Sequence, residues 1–265
     1  MSRYAVTPNR ELGRHFLVDD NILGVAGRLA ALSPEDVVLE IGAGLGVLTR
    51  YLADRVARVH AIELDRSLEP HLRDAVAGNG NVDLVFGDAL ALPLAALEPP
   101  ATKLVANLPY QVATPVVVES LDGLPLVERW CVMVQREVAD RFFAEPGTRS
   151  YGAVSVLIRL TAARTGTHPV ARTVFRPPPN VDSALVAFER TRKWGPEYGA
   201  LKRLVQGSFA YRRKTFANSL ELAGLATRAE SVAALEVIGR PAGIRAEALG
   251  QHQREQRLHH VARHR

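Results

Sequence analysis

Val37-Val38-Leu39-Glu40-Ile41-Gly42-Ala43-Gly44-Leu45-Gly46 is the stretch that decides the fold. A short apolar run bounded by a turn reads as a strand buried on both faces. The glycines after it let the backbone turn sharply and approach a ligand closely. Leu45 to Leu52 reads as the helix leaving that turn. Upstream, residues 20–31 place Ile22, Leu23, Ala26, Leu29 and Ala30 at helical spacing, and Ser33-Pro34 breaks the pattern. Downstream come apolar runs Val59–Glu63, Val82–Phe86 and Lys103–Ala106, with a helix from Leu68 to Val76. Arg129–Gln135 and Ala184–Glu189 look like later strands of the same sheet. Strands alternating with helices predict an α/β domain, a parallel sheet with helices on both faces. From about Ala200 the pattern turns helical, through Leu201, Leu204, Val205, Ala217, Leu220, Leu222 and Leu225. The boundary is expected near Thr191–Gly199, where Trp194-Gly195-Pro196 reads as a linker. This gives an α/β domain over 1–191 and a small all-helical domain over 192–265.

The chain has 265 residues, 47% hydrophobic and 23% charged, ordinary values for a soluble globular protein. Its single cysteine, Cys131, allows no internal disulfide and fits a reducing compartment. Met1 to Glu11 is polar, without a secretory apolar core, and no apolar run reaches the roughly 20 residues that span a bilayer. A cytoplasmic protein without membrane attachment is expected. The charge is uneven: residues 192–265 carry 14 Lys/Arg against 6 Asp/Glu, whereas residues 1–191 carry 19 against 22. A basic C-terminal part on a slightly acidic body suggests a polyanionic partner, nucleic acid above all. A generally arginine-rich composition is the alternative.

The glycine spacing narrows the ligand. A dinucleotide fingerprint needs G-x-G-x-x-G, and position 47 is Val47. Glu40, just ahead of the glycines, would sit poorly beside a pyrophosphate. It suits a ligand with a cationic amine and sulfonium, S-adenosylmethionine. Two more acids end the next strands. Glu63 lies about 20 residues past the first glycine, where this fold type hydrogen-bonds ribose hydroxyls. A carboxylate there can accept from two adjacent hydroxyls. Asp88 follows Phe86-Gly87 and could meet the exocyclic amine of the ligand's adenine. Either acid alone reads equally as a solvated loop carboxylate; the set, with the glycine turn, does not.

Asn107-Leu108-Pro109-Tyr110 follows the fourth strand. An adenine N6 amine is a poor nucleophile because its lone pair is delocalised into the ring. Two acceptors taking the N6 hydrogens, the Asn107 side-chain oxygen and the Leu108 carbonyl, can pull that nitrogen toward a pyramidal, nucleophilic geometry. Pro109 removes a competing donor and stiffens the turn. Tyr110 offers a face on which a base can stack, worth roughly 1–3 kcal/mol. A plain proline turn with Asn as a turn residue is the alternative.

The tetrad resembles that of amino-methylating S-adenosylmethionine enzymes, and other segments narrow the resemblance. Arg10-Glu11-Leu12-Gly13-Arg14-His15-Phe16-Leu17-Val18-Asp19 is similar to the N-terminal signature of the rRNA adenine N6-dimethyltransferase family. So are Tyr151-Gly152-Ala153-Val154-Ser155-Val156, Phe175–Ser183, Arg212-Arg213-Lys214-Thr215 and Asn218-Ser219-Leu220, in order from about residue 10 to about 250. The KsgA type, which dimethylates two adjacent adenines near the 3′ end of small-subunit rRNA during ribosome assembly, is the most similar branch. The resemblance implies a Rossmann-like methyltransferase sheet, S-adenosylmethionine as methyl donor, and small-subunit rRNA within a pre-30S particle as partner, with the enzyme a monomer and no metal involved. It implies that His15 and Leu17 close over the cofactor and that Gly42, Gly44, Glu63, Asp88 and Asn107 contact it. It further implies that Phe175 offers a second face to the target base and that Arg212, Arg213 and Lys214 hold rRNA phosphates. Arg14 stands where the family usually has glutamine.

Two rivals are kept: a large-subunit rRNA methyltransferase of the macrolide-resistance type, and a non-catalytic assembly factor that retained the fold. An NAD-dependent dehydrogenase fails on the glycine spacing and leaves Asn107–Tyr110 unexplained. Cys131 in its apolar strand, the histidines at 252, 259, 260 and 264 in a basic tail, and Phe142-Phe143 are not assigned chemistry.

Overall fold

The computed structural model describes Phe16, Leu17 and residues 19–249. Seven strands make one sheet: β1 (Val37–Ile41), β2 (Arg58–Glu63), β3 (Val82–Phe86), β4 (Lys103–Asn107), β5 (Arg129–Gln135), β6 (Ala162–Val170) and β7 (Ser183–Arg190). Their order is β3-β2-β1-β4-β5-β7-β6. The first five run parallel, and β7 runs antiparallel to both β5 and β6. This is the Rossmann-like α/β sheet that the resemblance implies; the pattern's expectation of a parallel sheet holds for the first five strands but not for β7, which pairs antiparallel on both sides.

Strand β1 is buried along its whole length, as a central strand covered on both faces must be. It pairs in register with β2 from Val37↔Arg58 to Ile41↔Ile62, so Gly42 and Glu63 leave their strands at the same level. The chain runs outward from β1 to β3 and then crosses back to β4. Connections at the carboxyl ends of β1 and β4 therefore diverge, the crevice where open α/β sheets take ligands.

Helix α1 (Asp20–Ala30) is capped by Asp19, whose carboxylate accepts from the Asn21 and Ile22 amides at 2.9 and 3.2 Å. Its apolar stripe of Ile22, Leu23, Ala26 and Ala30 joins the core on one face of the sheet with Val38, Val105, Cys131 and Leu185. Helix α2 (Val47–Ala53) starts at Gly46 (φ 79°). A Cβ there would lie 2.8 Å from the Ala75 Cβ at the end of α3 (Glu69–Ala75), so only glycine fits. Helix α4 (Ala113–Gly123) follows β4, and α5 (Arg136–Phe142) follows β5.

The pattern reading did not anticipate strand β6. It is an edge strand whose residues Arg164 to Pro169 are mostly exposed, and Pro169 is tolerated because one edge has no ladder to donate to. Phe16 and Leu17 form a two-residue antiparallel ladder with Arg176 and Phe175.

The described chain divides into two units. The first holds the sheet, through Ala139 and again over Thr161–Lys193. The second joins Asp140–Leu160, with most of α6 (Ala153–Thr161), to the chain from Trp194 onward. It is helical: α7 (Tyr198–Ala210), α8 (Phe216–Leu222), α9 (Arg228–Val237) and α10 (Ala246–Leu249). Thr227 and Glu230 form a capping box at the start of α9. Ser219 donates to the Gly207 carbonyl at 2.8 Å, locking α8 onto α7. Among the described residues no helix is long and apolar enough to cross a membrane.

Candidate active site

A cavity of about 440 Å³ opens at the carboxyl ends of β1, β2, β4 and β5, within the range of small-molecule sites. Gly42, Gly44, Glu63, Asp88, Asn107, Leu108, Pro109, Tyr110, Leu17 and Phe175 all line it. His15 lies outside the described residues.

The glycine turn is built by its neighbours. The Gly42 and Ala43 amides donate to the Ile62 carbonyl at 2.8 and 3.2 Å. Glu63 is buried, and its two carboxylate oxygens accept from the Gly44 and Asp65 amides, each at 2.8 Å. Gly42 (φ 82°) packs so closely on the tetrad that a Cβ would lie 3.1 Å from the Pro109 ring. The glycine turn and Asn107–Tyr110 are thus one packed unit.

Glu40 is 1% exposed, and its Oε2 has no hydrogen-bond partner among the described residues. Burial pushes its carboxyl up to about 8; the Thr49 hydroxyl opposes the shift and the nearby Glu63 carboxylate adds to it. Asp88 is exposed, and its Oδ1 accepts from the Leu90 amide at 2.9 Å. Among the described residues four acids line the cavity, Glu40, Glu63, Asp65 and Asp88, and no Lys, Arg or His does.

The tetrad is anchored at both ends. The Leu108 amide donates to the Met133 carbonyl at 3.1 Å, tying it to β5. The Pro109 carbonyl accepts from the Val112 and Ala113 amides, starting α4. Leu108 is buried and Asn107 half-buried. The half-buried Tyr110 reaches Ser183 of β7 through its hydroxyl, at 2.9 Å from the Ser183 Oγ. Burial pushes the phenol up and the Ser183 bond draws it down, with burial the larger effect.

Phe175 is 1% exposed and belongs to the core. It lines the cavity, as the half-buried Phe16 and Tyr110 do. Arg212, Arg213 and Lys214 are not among the cavity-lining residues. They occupy the exposed turn between α7 and α8, where Arg212 donates to the Arg149 carbonyl at 2.8 Å.

The structure adds residues that the sequence reading passed over. The exposed apolar side chains of Leu64 and Leu90 follow Glu63 and Asp88 into the cavity. Phe16 packs its ring over Gly44, where a Cβ would lie 3.5 Å from it. Gln135, the last residue of β5, also lines the cavity. The signal for Gln135 was the one used for Glu63, a polar residue closing an apolar strand.

A phosphate-bearing dinucleotide would face the carboxylates of Glu63, Asp65 and Asp88 here, with no Lys, Arg or His among the described lining residues to answer it. S-adenosylmethionine brings an ammonium, a sulfonium, ribose hydroxyls and an adenine amine to the same acceptors, and the unpartnered Glu40 oxygen and close-packed glycine turn fit it. A Rossmann-like chain built around that ligand is an S-adenosylmethionine-dependent methyltransferase.

The family model for ribosomal RNA adenine dimethylase matches residues 6–254, and the chain belongs to that family. It is 45% identical over 242 residues to the ribosomal RNA small subunit methyltransferase A of Rubrobacter xylanophilus, covering 91% of this chain and 90% of the relative. The protein of the same name from Kineococcus radiotolerans is 44% identical over 259 residues, covering 94% and 84%. Among solved structures, a dimethyladenosine transferase from Plasmodium falciparum shares the fold with a TM-score of 0.68 at 23% identity, over 90% of this chain and 94% of that one. The 23S rRNA methyltransferase ErmE reaches 0.62 at 27% identity, over 88% and 96%.

Proposed function

We propose that this enzyme dimethylates N6 of two adjacent adenines near the 3′ end of small-subunit rRNA in a pre-30S particle, acting as a monomer in the cytoplasm. The observation that carries the reading is the single cavity in which the glycine turn, the strand-ending acids and Asn107–Tyr110 meet. Identity of 45% to a small-subunit methyltransferase supports the choice of subunit over the large-subunit alternative.

S-adenosylmethionine, when bound, supplies an electrophilic methyl on a cationic sulfur. Gly42 and Gly44 let the backbone approach it, Glu63 accepts from ribose hydroxyls, Asp88 accepts from its adenine amine, and Leu17 with His15 covers it. Glu63 is held in place for this by the Gly44 and Asp65 amides, one on each carboxylate oxygen. The target adenine must leave its stack to reach the cavity, and Tyr110 receives its face. The Asn107 side-chain oxygen and the Leu108 carbonyl take the N6 hydrogens and turn the nitrogen lone pair toward the methyl. Pro109 offers no competing donor, and its carbonyl is committed to α4. Arg212, Arg213 and Lys214 hold rRNA phosphates from the second unit.

The test is transfer of labelled methyl from S-adenosylmethionine to undermethylated small ribosomal subunits, with Asn107→Ala and Tyr110→Ala as controls. N6-dimethyladenosine near the small-subunit 3′ end, lost in both variants, is expected. Label in large-subunit rRNA instead would move the enzyme to the resistance branch. No label in either, with cofactor binding intact, would overturn the substrate.

A further inference from the structure

Three residues on one face of the sheet surround the place where a base would lie on Tyr110. Asn107 pairs with Met133 across β4 and β5, and Gln135 is two residues beyond Met133, so Asn107 and Gln135 share a face. Gln135 pairs in turn with Ser183 across β5 and β7. Ser183 is 1% exposed and holds the Tyr110 hydroxyl at 2.9 Å. The residue directly opposite Gln135 is therefore the one that fixes the tyrosine ring. Gln135 lines the cavity from the end of a buried strand, and its carboxamide makes no hydrogen bond among the described residues.

The two halves of the cavity offer different chemistry. The side chains that close β1 and β2 or follow β2 and β3, Glu40, Glu63, Asp65 and Asp88, are carboxylates, acceptors when ionised. A base read on its Watson–Crick edge presents an acceptor at N1 beside the N6 amine if it is adenine, and a donor at N1 if it is guanine. With the N6 hydrogens taken by Asn107 and Leu108, the remaining need is a donor for N1. Gln135 is the unengaged donor on the rigid scaffold next to Tyr110; Gln111 is exposed on a loop.

We infer that Gln135 is the specificity-determining residue for the target base, its carboxamide NH₂ donating to N1 of the adenine held on Tyr110. This rests on the N6-methylation reading above. Guanine fits less well because its O6 faces the Asn107 and Leu108 acceptors and its N1–H requires the Gln135 carboxamide to turn over. Gln135 works on binding and alignment of the base and leaves the cofactor half untouched.

The experiment compares the full-length enzyme with Gln135→Leu and the near-isosteric Gln135→Glu. The substrates are undermethylated small subunits whose 3′ rRNA segment carries adenine, 1-deazaadenine or 7-deazaadenine at the target position. S-adenosylmethionine affinity is measured separately by calorimetry. On adenine, both variants are expected to lose about ten- to hundred-fold in kcat/KM, the size of one good base contact, with cofactor affinity within twofold of wild type. The advantage of wild type over Gln135→Leu should vanish on 1-deazaadenine and persist on 7-deazaadenine; this ratio cancels the intrinsic reactivity of each base. Equal activity of all three enzymes on adenine overturns the inference. So does an unchanged wild-type advantage on 1-deazaadenine, or a loss confined to 7-deazaadenine. So does a loss in both variants matched by loss of cofactor affinity, which would make Gln135 structural. Wild type failing on adenine itself would instead sink the underlying N6 reading.

Discussion

The two halves of the cavity are built from the same kind of position and offer opposite chemistry. At the ends of β1, β2 and β3 stand acids: Glu40 and Glu63 buried, Asp88 exposed. At the ends of β4 and β5 stand the carboxamides of Asn107 and Gln135, with Tyr110 beside them. A charged, hydroxyl-rich ligand needs acceptors. A neutral base needs groups that can both donate and accept, and a face to lie on. On the function proposed above, one sheet would supply both because side chains at strand ends converge while the strands fix their spacing.

Asn107→Ala separates the halves most widely. If the Asn107 carboxamide acts on the target amine, single-turnover methyl transfer should fall by about 10²–10³-fold, as when one oriented polar partner of a transition state is removed. S-adenosylmethionine affinity should change only a few-fold. An equal fall in affinity would assign Asn107 to the cofactor half and break the division.

How much of this division was legible in the sequence follows from burial. Strands β1, β4 and β5 are apolar because both faces are covered, so each closing polar residue stood out against its run. Strand β6 was not legible: Arg164, Thr165, Thr167 and His168 with Gly166 and Pro169 look like a loop, and only pairing with β7 makes them a strand. Helix α4 was hidden because Thr114 and Val116-Val117-Val118 are β-branched, and tertiary packing overrides that preference. The tetrad and the acids carried recognisable spacing. Gln135 stood out only as a strand end and Ser183 not at all, because their nearness to Tyr110 comes from the β5–β7 register, a contact between residues far apart in the chain.

Glu63→Ala probes the acidic half. It removes both acceptors that hold the Gly44 and Asp65 amides. Hydrogen bonds to a charged group are worth about 1.5–3 kcal/mol, so the S-adenosylmethionine dissociation constant should rise roughly ten- to hundred-fold. At saturating cofactor kcat should stay within about threefold of wild type. A fall in kcat at saturation would show that the glycine turn also shapes the tetrad through the Gly42–Pro109 contact.

Glu40 makes the acidic half sensitive to pH. Its carboxyl is raised from 4.5 to about 8 by burial, with Glu63 adding to the shift. Between those values the folded chain holds a proton that the unfolded chain has released. Stability from this group is therefore fully present below pH 4.5 and is lost as pH rises through 8. In cofactor-free protein the melting temperature should fall by about 2–4 °C per pH unit across this window. Glu40→Gln, neutral throughout, should flatten that slope. A slope unchanged in Glu40→Gln would mean that other groups set it and that Glu40 is ionised in the fold.

The smallest effect tests the base-facing half most finely. Tyr110→Phe and Ser183→Ala each remove the 2.9 Å bond between β7 and the tyrosine while leaving an aromatic face for the base. A neutral hydrogen bond contributes about 0.5–1.5 kcal/mol, so each variant should lose about two- to twelve-fold in kcat/KM. The double variant should lose no more than either single one, because both delete the same contact. Additive losses would mean that Ser183 and Tyr110 act separately, and that the Ser183 bond does not position the stacking face. Non-additivity would show that β7, an antiparallel strand remote in sequence, helps define the base site of a cavity otherwise made by parallel strands.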